Sequence, residues 1–315
     1  MKKLSLWLIV AAGLLWGTSC IFVKFLAPYG ISSLQMTFVR GVVALIAMSS
    51  FVLIKNKGKL CVNLRDLWLF ALIGLTLFVT AASYYSAMQL IGVSTAVVLM
   101  YTSPVFVAVA SVIIWRERIT ASRLGALVML LVGCALTSGI AGGFGTDALG
   151  LALGLLSGVS YAAYNLLTKV SLSRGNDPAG ASMLAFAFMI VIAMPFADLG
   201  SLPRVVGVAP IPIIPLLVGC GLFTFVLPYF LYTLSMKSLS ASTASALSVV
   251  EPMAATLYSI VFFLYRPDVF EIVGLVLSFA AVVLIGLLET DKSSDNNIKE
   301  NEVTPYEKET DMSCN

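Results

Sequence analysis

Gly13-Leu-Leu-Trp-Gly-Thr-Ser19 returns later in the chain as Gly154-Leu-Leu-Ser-Gly-Val-Ser160, with five of seven positions identical. Further on, Ser94-Thr-Ala-x-x-Leu-x-x-x-x-Pro104 returns as Ser242-Thr-Ala-x-x-Leu-x-x-x-x-Pro252. The offsets are 141 and 148, so one unit is used twice with a small insertion between the paired segments. Both copies lie in uncharged apolar stretches, which makes this a duplication of membrane helices. Such repeats are typical of secondary transporters, whose two parts move around a shared central site.

Composition supports the membrane class. Hydrophobic residues make up 59% of the 315 and charged residues 11%, against the ~25% charged of an average soluble domain. Charge-free runs cover 67–115, 124–146, 148–168, 178–197 and 205–236, and a helix crossing the bilayer needs about 20 apolar residues. Histidine is absent, and Cys20, Cys61, Cys134, Cys220 and Cys314 show no paired spacing. That argues against metal sites, His-based catalysis and a disulfide framework. The sequence has no Gly-rich Walker segment for ATP hydrolysis.

Breaking the apolar runs at charges, Pro and Gly gives ten expected spans: 5–27, 34–54, 67–89, 93–114, 122–140, 149–169, 179–197, 212–236, 240–262 and 270–288. The first is long enough to span and so is not a cleavable signal peptide. The expected organisation is a first repeat over 1–140, a second over 141–288, and an acidic tail over 289–315. The Gly-rich segment Gly139-Ile-Ala-Gly-Gly-Phe-Gly145 marks the boundary. Five spans per copy is an odd number, so the second copy must enter the membrane inverted. The tail carries eight acidic and three basic residues and is too polar to offset the entropy of ordering, so it reads as disordered.

Charge placement tests this arithmetic. With a cytoplasmic N-terminus, fifteen of the nineteen Lys and Arg fall in internal segments, and only Arg204 and Arg266 fall in external loops. Lys24 and Arg40 lie within spans. Basic residues are retained on the cytoplasmic side during insertion, which places both termini there, in an inner or plasma membrane.

Trp16-Gly17, Phe38-Val-Arg40, Tyr84-Tyr-Ser-Ala-Met-Gln89 before Ser94-Thr-Ala, and Ser103-Pro104 before Arg116-Glu-Arg-Ile-Thr120 follow one another in the first copy. The second copy has Tyr229-Phe-Leu-Tyr232, Ser242-Thr-Ala and Glu251-Pro252. In this order the chain, over about 5–288, resembles the EamA family of the drug/metabolite transporter superfamily. It departs from the family pattern at Leu264-Tyr-Arg-Pro-Asp268, where a Gly/Glu-type turn is usual. The resemblance implies an all-helical bundle with a central cavity, and substrates that are amino acids, other metabolites or drugs, often exported.

Several residues stand out within the spans. Gly13-x-x-x-Gly17, Gly150-x-x-x-Gly154 and Gly154-x-x-x-Gly158 allow helices to approach closely. Pro104 and Pro252 sit mid-span in equivalent positions, where each removes a backbone donor and bends the helix, so spans four and nine should face the cavity there. Glu251 lies about eleven residues into its span, where an ionised carboxylate costs on the order of 2.5–3.5 kcal/mol. It reads either as a coupling or substrate-ammonium site, or as a neutral carboxyl bonded to Ser or to freed backbone. Arg40 is always charged and deep; it reads either as a tether between helices or as a contact to a substrate carboxylate. Lys24 can snorkel to the interface. Trp16, Tyr84, Tyr101, Ser103, Tyr161, Asn165 and Tyr232 complete the candidate wall, with Tyr85, Tyr164, Tyr229 and Tyr258 as further mid-span aromatics.

The expected protein is an all-α, ten-helix secondary transporter built from two inverted five-helix repeats, working by alternating access. Its partners are a small-molecule substrate, the lipid bilayer and protons as a coupling ion, with no cofactor, metal or nucleic acid. A passive channel or facilitator is the second reading. An intramembrane enzyme is the third, and it would call for catalytic clusters at membrane depth that the sequence does not show.

Overall fold

The computed structural model describes residues 2–55, 62–116, 120–137 and 147–303. Among these residues the protein is helical, with no strand. The helices are α1 (Lys2–Gly17), α2 (Ser19–Leu26), α3 (Ser33–Lys55), α4 (Leu67–Ile91), α5 (Val93–Met100), α6 (Ser103–Trp115), α7 (Ala121–Thr137) and α8 (Ala148–Ser173). They continue as α9 (Pro178–Ala193), α10 (Leu202–Val208), α11 (Pro210–Gly221), α12 (Leu227–Ser235), α13 (Ala241–Leu247), α14 (Val250–Phe263) and α15 (Val269–Val303). Nine segments are long and apolar enough to cross a bilayer, and α7 is a shorter apolar helix of 17 residues. The end of the expected fifth span and the Gly139–Gly145 boundary lie outside the described residues.

The backbone of α15 continues helical past the apolar run, through 289–303. A helix already nucleated by a span adds residues without a new nucleation cost, which composition alone does not register. Residues 304–315 lie outside the described residues.

Three spans are broken mid-way. The segment of α1 and α2 pauses at Thr18, that of α5 and α6 at Tyr101–Thr102, and that of α13 and α14 at Ser248–Val249. Pro104 and Pro252 follow the last two breaks directly, where a missing N–H is tolerated at the start of a new helix. The far ends of α6 and α14 also match. Arg116 and Leu264 both adopt left-handed backbone with φ of 53°, and they donate their N–H to Ser111 O and Ser259 O. Each of these pairs is again separated by 148 residues. The Leu264 turn thus keeps the geometry of its first-copy counterpart although its residues depart from the family pattern.

Packing follows the glycines. α1 packs against α12 and α14, while α8 packs against α4, α5 and α6. A Cβ on Gly13 would lie 2.8 Å from that of Val250, and one on Gly17 would lie 2.5 Å from that of Ala254. Gly154 and Gly158 face Leu99 and Thr102 in the same manner. The leading helix of each repeat therefore sits on the broken helix of the other.

The outside of the bundle is apolar, with Ile113, Ile211, Val261 and Phe279 exposed, and Ser157, Asn165, Ser171, Ser235 and Ser245 are fully buried inside. This suits a surface facing lipid, where polar groups must find partners within the protein.

Candidate functional site

A cavity of about 690 Å³ lies between the helices, within the ~300–1,000 Å³ range of small-molecule sites. It is lined from α1 and α2, α3, the second half of α4, α5, and from α8, α9, α12 and α14. At one end its wall is formed by Ala27, Ile31, Ser33, Met88 and Val93, at the loops joining the first to the second span and the third to the fourth. At the other it stops on a packed aromatic layer.

Trp16 forms that floor, its ring centroid 5.1 Å from Tyr229 and 5.4 Å from Tyr232. Tyr161 stacks on Tyr164 at 5.9 Å, and Phe225 lies 4.7 Å from Tyr229. Beneath the rings a polar chain ties three helices together. The Tyr232 hydroxyl donates to Asn165 Oδ1 at 2.9 Å, and Asn165 Nδ2 donates to Ser245 Oγ at 3.3 Å. Lower still, Lys169 Nζ donates to the carbonyls of Met236 (2.6 Å) and Leu239 (2.7 Å), holding the end of α12. Arg123 Nη2 donates to Ser240 Oγ (3.1 Å) and Thr243 Oγ1 (2.8 Å) at the start of α13. On the same face Arg174 pairs with Asp66 at 2.7 Å, and Asn176 Nδ2 donates to the other Asp66 oxygen at 2.9 Å. These two donors, Asn176 first and Arg174 second, hold the Asp66 carboxyl below the usual carboxylate range.

Arg40 enters the cavity from α3. Its Nη2 donates to the Tyr85 hydroxyl at 2.8 Å and to Thr37 Oγ1 at 3.2 Å, and its guanidinium carbon lies 5.7 Å from the Phe225 ring centroid. The tether it makes runs to hydroxyls rather than to carbonyls. Glu251 lines the same cavity, as does Tyr101, whose buried hydroxyl makes no well-formed hydrogen bond and has the Glu251 carboxyl in its neighbourhood.

The cavity thus gathers Trp16, Arg40, Tyr84, Tyr101, Tyr161, Glu251 and Pro252 from the expected set. Four others are placed elsewhere. Asn165 and Tyr232 belong to the polar chain under the floor, both with 0% exposure. Ser103 and Pro104 are buried behind the wall, and the Ser103 hydroxyl has no partner. Glu251, the counterpart of Ser103 in the repeat, does line the cavity, so the two copies differ at this position. Lys24 stays outside, its ammonium 3.9 Å from the Phe263 ring centroid.

The wall also includes residues that were not singled out as site residues: Tyr85, Tyr229, Thr37, Thr80 and Thr224. Thr224 and Phe225 sit on a π-helical turn, Leu222–Val226, in which Leu227 N–H reaches back to Leu222 O. Pro228 follows and has no N–H to offer Thr224, which favours the wider turn. That proline within an apolar run was the readable signal.

This architecture can be compared with known proteins. The EamA-like transporter family model matches residues 3–139 and again 148–287. The chain belongs to the EamA-like transporter family. Its relatives include an uncharacterized transporter of Archaeoglobus fulgidus, 27% identical over 284 residues, covering 89% of this chain and 93% of that protein. Another, from Clostridium kluyveri, is 25% identical over 288 residues, covering 88% and 90%, and YwfM of Bacillus subtilis is 25% identical over 267 residues, covering 82% and 85%. A solved structure described as the crystal structure of a protein shares the fold with a TM-score of 0.74 at 18% identity, covering 91% of this chain and 98% of that one. The EamA protein described here is a multi-pass membrane transporter of small molecules.

Proposed function

We propose that this EamA protein is a secondary transporter of small metabolites, working by alternating access as an exporter in the cell membrane, with both termini cytoplasmic. It has ten spans in two inverted repeats, 1–140 and 141–288. The observation that supports the reading is a central cavity whose wall reaches residues 27–33 and 88–93 at one end and the aromatic packing around Trp16 at the other, with the Asn165, Lys169 and Arg123 bonds beyond that packing. In this reading the end at residues 27–33 and 88–93 is open and external, as the distribution of Lys and Arg supports. The crossed packing of α1 on α14 and of α8 on α5 and α6 supports two halves related by inversion. In this reading the cavity residues, including Arg40, Glu251 and the aromatics, contact substrate. Ser103, Asn165 and Tyr232 would meet it when the closed end opens, and Pro104 and Pro252 provide the bends. Export follows the family's habit.

The reading is tested with paired spin labels in proteoliposomes. A pair at Val93 and Leu264 reports the mouth, and a pair at Thr120 and Lys237 reports the closed end. Alternating access predicts two populations in which one end widens as the other narrows. A passive facilitator would carry flux with a distance distribution that never inverts, and that outcome would replace the transporter reading.

A further inference from the structure

Among the described residues Arg40 makes no ion pair. Its two hydrogen bonds both leave from Nη2 and both end on neutral hydroxyls, those of Tyr85 and Thr37. Nε is buried without an acceptor, and no bond within the described residues uses Nη1. No carboxylate oxygen lies within 4 Å of the guanidinium among the described residues, so Glu251, in the same cavity, does not form an ion pair with it. The residue is 8% exposed, and what remains accessible lines the cavity.

A buried guanidinium that stays charged at every working pH is costly without an anion, and its planar donors match a carboxylate. The fold orients the group without satisfying it: Tyr85 and Thr37 fix one nitrogen, while Nε and Nη1 have no acceptor among the described residues. Around it the wall is apolar and polarisable, with Phe225, Tyr229, Met36, Met88 and Met189. Methionine adapts to irregular apolar shapes, and aromatic faces add area with little loss of freedom.

We propose that Arg40 anchors a carboxylate, and that the site takes small monocarboxylates whose apolar body lies on the aromatic and methionine wall. This rests on reading the cavity as the substrate site. The carboxylate takes the cavity-facing guanidinium donors that the fold leaves unused and keeps the Tyr85 bond in place.

The experiment uses the full chain in detergent, with Cys20, which lines the cavity, as the only cysteine. Its rate of modification by a small water-soluble thiol reagent is measured with 3-phenylpropanoate or 4-methylpentanoate, and with the corresponding amides. The acids should slow modification with an apparent affinity about tenfold or more above that of the amides, the scale of a hydrogen bond to a charged group. Arg40→Gln should remove that preference. Should this variant not fold, the acid-to-amide comparison on the unaltered Arg40 still decides. Equal protection by amides and acids overturns the carboxylate anchor and leaves the cavity reading standing. Protection by none of the four compounds overturns the proposal with Cys20 reactive, and a Cys20 that never reacts overturns the water-filled cavity itself.

Discussion

A Cβ on Gly158 would lie 2.7 Å from the carbonyl oxygen of Leu99 and 2.8 Å from Thr102 Oγ1. The helix that opens the second repeat therefore touches the backbone of the first repeat where its fourth span is interrupted. No side chain can fit there, and the neighbouring atoms include backbone that cannot rotate aside. Gly17 holds the matching position on α14, against Ala254 and the backbone nitrogen of Ala255.

Gly158→Ala should therefore destabilise the protein by roughly 1–3 kcal/mol, the usual cost of overpacking. Gly125→Ala serves as the control, because nothing lies within 4 Å of its would-be Cβ. It should be neutral or stabilising by about 0.5–1 kcal/mol through helix propensity. Thermal unfolding in detergent reads both. Equal melting temperatures for the two variants would show that the approach at Leu99 does not hold the halves together.

Glu251 tests coupling. As a hypothesis, its protonation links transport to the proton gradient. Glu251→Gln keeps shape and hydrogen bonding and removes titration, so it should insert normally and lose proton-driven accumulation. Exchange of substrate across proteoliposomes should survive, since exchange does not require proton release. A Gln variant with full accumulation and unchanged pH dependence would remove the coupling role.

Asp66 gives a pH dependence at the closed face. Its carboxyl is held below the usual range by Asn176 and then Arg174, so the folded state favours the ionised form. The stability this adds is present above the ordinary carboxylate value of about 4 and is lost as pH falls through the lower folded value. Unfolding temperatures should therefore drop as the medium is acidified through this window, and Asp66→Asn should lack that part of the drop. Parallel curves for the two proteins would show that the clasp contributes nothing.

Orientation is read with single cysteines at Asp147 and Lys237, in a background without the native cysteines. An impermeant thiol reagent should label position 147 in intact cells and position 237 only after permeabilisation. Labelling of both from the same side would dismantle the odd number of crossings expected between them.

Much of this protein is local and so could be read from the chain. The spans follow from runs such as 67–115, because hydrocarbon tolerates only long apolar helices. The breaks at Tyr101–Thr102 and Ser248–Val249 follow from Pro104 and Pro252, and the close packing of α1 and α8 from their glycines. Trp16, Arg40, Tyr84, Tyr101, Tyr161 and Glu251 were nameable as wall residues because polar and aromatic groups at membrane depth need a partner or water.

Position around each helix axis was not readable, and there the tertiary structure decided. It put Glu251 on the wall and left its counterpart Ser103 fully buried behind it. It moved Asn165 and Tyr232 beneath the floor, and brought Tyr85 and Thr37 to Arg40. Hydrophobicity sets which segments enter the bilayer, and lipid is equally apolar on every side, so it cannot say which face turns inward. That choice came from the glycine contacts and hydrogen bonds between helices, which exist only once the two halves meet.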